Sequence, residues 1–242
     1  MKYELTDNKK DGLTQIRALR DIPKRNIKKG ALGGWVESED NLSQEGDCWV
    51  SGNAKVFGNA RVSVNSGVSG DALVYGDAAV SGDAKVSGDA AVSGYALVFG
   101  RARVSGYATV SGNARVHGDA SVFGNAVVSG NAKVYGDAKV YEDAVVDGNA
   151  RVSGNAQVFG NAVVSGYAKV TKPSECINIT NLRHNITITP NWFHVGCREW
   201  TSLEEFEKNY EEIGKKEGYS EEECEQTLNV IKSILVLQKE RK

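Results

Sequence analysis

The sequence predicts an all-β solenoid, a three-sided parallel β-helix of hexapeptide repeats, with a small C-terminal α-helical module. Three observations predict it. From Val50 to Val170 every sixth residue is valine, at 21 positions of 21. Four residues after each valine stands Ala, at 19 of 20 positions, the exception being Ser66. Two residues after each valine stands Gly, at 18 of 20 positions, failing only at Val64 and Glu142. The residue after that Gly is usually Asn or Asp.

A six-residue period is not helical, because positions six apart on an α-helix point about 240° away from each other. It suits a short strand plus a turn. Ala and Val two apart share one side of a strand, and Gly followed by Asn or Asp tolerates the positive φ of a tight corner. Each hexad is then one side of a prism with Val and Ala inside. A second period fixes three sides per coil. Just after the inward Val, the aromatic choices are Phe57 and Tyr75, then Phe99, His117 and Tyr135, then Phe123, Tyr141 and Phe159, each series stepping by 18. With 18 residues per turn these side chains stack on neighbouring coils, about 4.8 Å apart.

Three segments follow in order. Residues 1–44 form an N-terminal cap with strand-like pieces such as Tyr3 to Leu5, a basic stretch from Arg17 to Lys29 and a Gly33-Gly34-Trp35 turn. Residues 45–188 form the β-helix: Gln44 breaks the register, so the first coil begins near residue 45. At the far end Cys176, Leu182 and Ile188 continue the Val register, with Ser174, Thr180 and Ile186 at the Ala positions. This predicts a degenerate last coil and about eight coils in all. Both ends need covers, because a bare terminal coil offers unpaired backbone groups to other chains.

Residues 189–242 supply a strand around Trp192, Phe193 and Val195 and then two helices. Thr201-Ser202-Leu203-Glu204-Glu205 has the form of a capping box, and Leu203, Phe206, Tyr210 and Ile213 make an apolar stripe. Ser220 opens a second helix burying Cys224, Leu228, Ile231 and Leu235. Such short helices do not fold alone and must dock on the rod or on each other.

Composition excludes several classes. With 29 basic and 31 acidic side chains the chain has neither a polyanion-binding tail nor an acidic solvating segment. Its 27 Gly stand beside only 3 Pro, which excludes collagen-like or Pro/Gly-disordered chains. There is no signal-peptide stretch in MKYELTDNKK and no run of about 18 apolar residues, so a soluble, cytoplasmic protein without a membrane partner is expected. Cys48, Cys176, Cys197 and Cys224 lack CxxC or zinc-ligand spacing and are expected to be reduced structural thiols. No metal and no cofactor are expected.

The repeat resembles the hexapeptide-repeat parallel β-helix proteins, whose best-known members are trimeric acyltransferases. That resemblance implies a left-handed coil, although strand crossovers are ordinarily right-handed. Outside the repeat, Ile16-Arg17-Ala18-Leu19-Arg20, Gly33-Gly34-Trp35-Val36-Glu37, Asn41-Leu42-Ser43 and Glu45-Gly46-Asp47-Cys48-Trp49-Val50 resemble the opening of phage and prophage hexapeptide-repeat proteins of the polymer-forming or acyltransferase-like kind. Ile186-Thr187-Ile188-Thr189, Val195-Gly196-Cys197 and the helix start from Thr201 to Phe206 are similar to the endings of phage repeat proteins. The resemblance implies a phage or prophage origin and a counter-defence role toward a host protein.

The three faces differ in what they expose beside the inward Val. Face one carries Leu73, Ala91, Thr109, Val127, Val145 and Val163, an apolar ladder that calls for a subunit contact or for cover by the C-terminal helices. Face two carries Arg115, Lys133, Arg151 and Lys169 beside Phe99, His117 and Tyr135, a combination suited to phosphate groups and bases. Face three is mixed, with Lys85, Arg103 and Lys139 beside Phe123, Tyr141 and Phe159.

Face two therefore predicts a non-catalytic binding or scaffold protein whose partner is a host protein or an anionic small molecule. The alternative is a trimeric acyltransferase with His117 as general base between subunits. His117 also simply fills the slot held elsewhere by Ser, Phe or Tyr, and no loop interrupts the hexads to shape a donor pocket. His194 with Cys197 suggests a Cys–His pair, but three residues apart on a strand they face opposite sides.

Overall fold

The computed structural model describes residues 1–179, 184–190, 192–196 and 198–240, with side chains to residue 234 in the last helix. The chain is a parallel β-solenoid of about eight turns, closed at its base by an antiparallel hairpin and at its far end by a small α/β module. The base consists of β1 (Tyr3–Lys10), β2 (Leu13–Ala18) and β3 (Leu32–Val36), and the rod contains the two-residue strands β4 to β24, from Trp49–Val50 to Lys169–Val170 at six-residue intervals. Every third rung pairs in parallel, so Arg115 sits opposite Lys133 and Lys133 opposite Arg151.

Each hexad contributes main-chain hydrogen bonds to the next coil at three places. The amide of Arg115 donates to the carbonyl of Ala132 at 2.9 Å, that of His117 to Val134 at 2.9 Å and that of Asp119 to Gly136 at 2.8 Å. Even the corners are thus satisfied, which a buried backbone requires. All the repeat's inward Val and Ala from Val50 to Val170 are fully buried, joined by Ser66 in one Ala slot. That Ser hydroxyl donates to the carbonyls of Ser63 and Val80. At the corners Gly takes a left-handed φ, such as 72° at Gly118, where a Cβ would lie 2.9 Å from the amide nitrogen of Gly136. Conformation and inter-coil spacing both demand Gly there.

The number of turns agrees with the sequence, but their bounds do not. Val36 pairs in parallel with Val56 and Leu42 with Val62, so two rungs of the first turn precede the expected start at residue 45. Leu42 and Val50 are eight residues apart instead of six; a two-residue insertion keeps the inward parity while defeating a strict six-residue comb. The Asn41 amide takes over the corner, donating to the carbonyls of Gly58 and Ala60 at 2.9 Å each. Gly33-Gly34-Trp35 is not a turn but part of β3, antiparallel to β2 and parallel to β5. A Cβ on Gly33 would lie 2.5 Å from Ile16, and one on Gly34 2.6 Å from the carbonyl of Ala54. These glycines let a flat strand lie tightly against the first coil.

At the far end the degenerate coil is replaced by an antiparallel meander. β25 (Ile177–Ile179), β26 (Ile186–Ile188), β27 (Phe193–Val195) and β28 (Arg198–Trp200) form one sheet, with Ile177 opposite Ile188. Alternation with period two is the same in an antiparallel strand as in a coil, so Ile186 and Ile188 matched the inward register without belonging to the rod. Thr180 and Leu182, expected in that coil, lie outside the described residues. The meander seals the last turn: the amide of Val163 donates to Thr187 Oγ1 at 2.9 Å, while Trp192 and Cys176 pack against the rod core.

Helices α1 (Leu203–Lys216) and α2 (Glu221–Glu240) pack on the meander and on each other. Ser202 caps α1 by accepting from the amide of Glu205, and Ser220 caps α2 by accepting from that of Glu223. Phe206 of α1, Ile231 of α2 and Ile186, Ile188, Phe193 and Trp200 of the sheet form a second core, separate from the valine stack. Leu235 lies outside the described side chains. No described helix is long and apolar enough to cross a membrane.

Candidate functional site

The face assignments are those of the sequence. Leu73, Ala91, Thr109, Val127, Val145 and Val163 lie side by side on the ten-stranded sheet, each half-buried. Among the described residues the C-terminal helices do not cover this ladder; they spend their apolar faces on the meander. Of the two expected explanations for the ladder, the helical cover is therefore not the one the fold uses.

On face two, Arg115, Lys133, Arg151 and Lys169 are adjacent members of one parallel sheet, β15, β18, β21 and β24. They form one wall of a groove of about 550 Å³ that runs along the rod axis. The other wall is Asn113, Asn131 and Asn149, with Tyr167 at the end. The sequence reading missed this second wall. Its signal was nonetheless present, because the four residues are spaced by 18 in the corner column next to the cations.

Other cations are paired within the chain, whereas Arg61, Lys85, Arg103 and Lys139 on the rod strands form no ion pair among the described residues. Arg101 pairs with Asp119 at 2.6 Å, Lys24 with Asp83 at 2.5 Å and Lys55 with Asp11 at 2.9 Å. Among the described residues Arg115, Lys133 and Arg151 form no ion pair. The corner positions two residues before these cations, 113, 131 and 149, all hold Asn. Three like charges one coil step apart, without counter-charge, are unfavourable in the isolated rod.

On the opposite flank of the cations, Phe99, His117 and Tyr135 form a continuous stack, with centroid spacings of 4.7 and 5.1 Å and planes within 11° and 6° of parallel. His117 thus has both ring faces covered. Burial first, then the charges of Lys133 and Arg115, hold its imidazolium below the usual histidine range. The rings use their faces on each other, so bases cannot insert between them. On face three Phe123, Tyr141 and Phe159 stack in the same way, at 5.0 and 5.3 Å.

A second polar cluster lies where rod meets module. Ser165 Oγ donates to Glu199 Oε2 at 2.9 Å and lies 3.2 Å from His194 Nε2. One rung below Ser165 on the same row, Asp147 Oδ1 is buried without a partner, and burial holds this carboxyl above its ordinary range. Burial likewise pushes buried His194 down, against the pull of Glu199 and Asp147. Ser165 Oγ thus donates to Glu199, and the direction of its longer contact with His194 is set by the tautomer of that ring.

The cysteines are expected to be reduced structural thiols. Cys197, considered with His194, lies outside the described residues. Cys48, Cys176 and Cys224 are free thiols, and burial pushes Cys176 up to about 12, which makes it unreactive. No group of His, Cys, Asp or Glu among the described residues is arranged to hold a metal ion. The apolar gap lined by His184, Trp200, Phe206, Tyr219 and Cys224 is about 60 Å³ and belongs to the interior of the module.

No known family model matches the chain, and no curated protein resembles it at a significant level.

Proposed function

We propose that this protein is a non-catalytic binding rod that presents face two to an anionic partner. The observation that carries this reading is the run of Arg115, Lys133 and Arg151 on consecutive coils with no ion pair among the described residues, beside a groove walled by neutral amides. A sheet that stacks like charges is relieved when a ligand supplies the opposite sign. The rigid coil sets the spacing in advance, so little ordering entropy is lost on binding. The resemblance of both flanks to phage repeat proteins supports a phage or prophage origin, and with it a role in sequestering a host component.

The acyltransferase alternative finds less support. The rungs follow at six-residue intervals from Val50 to Val170, leaving no protruding loop for a donor pocket. His117, its base, is sandwiched between Phe99 and Tyr135. The uncovered ladder of Leu73, Val127, Val145 and Val163 is the surface on which a second copy would dock, and native mass spectrometry reads whether it does.

The test is titration with inorganic polyphosphate of the protein and of a variant carrying Arg115→Ser, Lys133→Ser and Arg151→Ser. Binding at low salt that the variant loses, with its thermal transition kept, is the expected result. Equal binding by both proteins overturns the assignment to face two.

A further inference from the structure

The identity of the anion can be argued from the amide wall, on the reading that face two binds an anion at all. The corner column along the groove reads Tyr95, Asn113, Asn131, Asn149 and Tyr167 over five successive coils. Where the corner one coil further on is Asp, a corner Asn donates to it. Asn53 donates to Asp71 at 3.0 Å, Asn59 to Asp77 at 3.0 Å and Asn125 to Asp143 at 2.9 Å. Among the described residues the side chains of Asn113, Asn131 and Asn149 make no such bond. Each therefore offers a donor and an acceptor together, in register with one cation.

A ligand made only of phosphate or sulfate uses the donors of this wall and leaves its carbonyls facing other acceptors. A nucleobase edge presents donor and acceptor side by side, which is the pattern a carboxamide matches bidentately. The ends of the column point the same way. Tyr95 and Tyr167 are 64% and 65% exposed, with broad ring surface available to a flat partner. Tyr167 leans toward Trp192, at a centroid distance of 6.4 Å and a tilt of 37°. Aromatic platforms beside a cationic track are the elements that hold single strands, whereas a duplex has no free base face to offer them.

From these observations we infer that the groove binds single-stranded nucleic acid. Phosphates follow Arg115, Lys133, Arg151 and Lys169, base edges meet Asn113, Asn131 and Asn149, and outer bases stack on Tyr95 and Tyr167. The cations span three coil steps, roughly 14 Å, so the strand lies along the rod axis.

The test is fluorescence anisotropy with a labelled mixed-sequence ten-nucleotide single strand, as DNA and as RNA, with the matching duplex and inorganic polyphosphate as competitors. The single strand should bind better than the duplex, and with four phosphates neutralised log K should fall with log salt at a slope of about −2.8. Tyr95→Ala with Tyr167→Ala should weaken single-strand binding about fivefold or more and leave polyphosphate binding unchanged. The triple Asn113→Ala, Asn131→Ala, Asn149→Ala variant should do the same. If polyphosphate binds but displaces no oligonucleotide, or if the Tyr and Asn variants bind the strand as well as the wild type, the nucleic-acid inference is overturned and the anion site stands. If neither polyphosphate nor the strand binds, both fall.

Discussion

Replacing Lys133 by Gln should make the isolated protein more stable. Lys133 lies in register between Arg115 and Arg151, one parallel strand away from each, with no carboxylate among the described residues paired to any of the three. At a charge separation of about 5 Å, each neighbouring pair repels by about 0.8 kcal/mol in water. The two pairs lost in the variant sum to about 1.6 kcal/mol before screening. Screening over a Debye length of about 30, 8 and 3 Å leaves about 1.4, 0.9 and 0.3 kcal/mol at 0.01, 0.15 and 1 M salt. For a chain of this size the gain corresponds to a rise in melting temperature of about 3–5 °C at the lowest salt and about 1 °C at the highest. Differential scanning calorimetry of both proteins across that salt series measures it. The same variant should bind polyphosphate more weakly, since it removes a charge from the middle of the track. Stability gained while affinity is lost marks a charge kept for binding. A variant no more stable than the wild type at 0.01 M, or a gain that does not shrink with salt, refutes the claim that the ladder is uncompensated.

Four further outcomes follow from the same geometry. Val110 is fully buried in the valine stack, so Val110→Asp should abolish the cooperative soluble fold, an unpaired charge there costing several kcal/mol; a sharp thermal transition would refute the register. Val64 holds a corner at φ 61° with half its surface exposed, and Val64→Gly should raise the unfolding free energy measured by urea titration by about 0.5–1 kcal/mol once the added chain entropy of Gly offsets part of the relieved strain. Asp147→Ser, the residue this row carries at 93, 111, 129 and 165, should stabilise by about 1 kcal/mol at neutral pH. Because the folded carboxyl titrates above its unfolded value, that gain should shrink as pH falls through the raised pKa, which melting curves from pH 7 to 4 would follow. His117 should titrate below the ordinary imidazole range by NMR. Stability tied to its neutral form is present above the unfolded value and is lost as pH falls toward the lower folded one; bound polyphosphate or Lys133→Gln should move the midpoint up.

Most of the fold was legible because a solenoid repeats its physics. One inward Val, one inward Ala and one left-handed Gly per hexad are separate requirements of the same corner-and-rung unit, and twenty copies leave little ambiguity. The ends were harder to read for two different reasons. At the base, the insertion between Leu42 and Val50 conserves in–out parity, so only hydrogen bonding reveals that Val36 and Leu42 belong to the rod. At the tip, Ile186 and Ile188 satisfy the inward pattern but lack Gly corners, and a chain without corners turns back as a meander. The missing Gly was the better guide than the continuing apolar register.

The site divides in the same manner. The cation row and the ring stacks were visible as 18-residue ladders, since an exposed row on a solenoid is a column in the sequence. The amide wall escaped notice because Asn recurs at corners throughout the repeat, where the turn alone accounts for it. What distinguishes Asn113, Asn131 and Asn149 is relational: they stand beside the cation row, and no Asp interrupts them. A corner Asp does not by itself pair with the strand cation that follows it: Asp83 pairs with Lys24 and not with Lys85, and Asp119 pairs with the corner residue Arg101. What sets face two apart is three cations in parallel register on consecutive coils with no ion pair among the described residues, the arrangement that an anion from outside the chain would relieve.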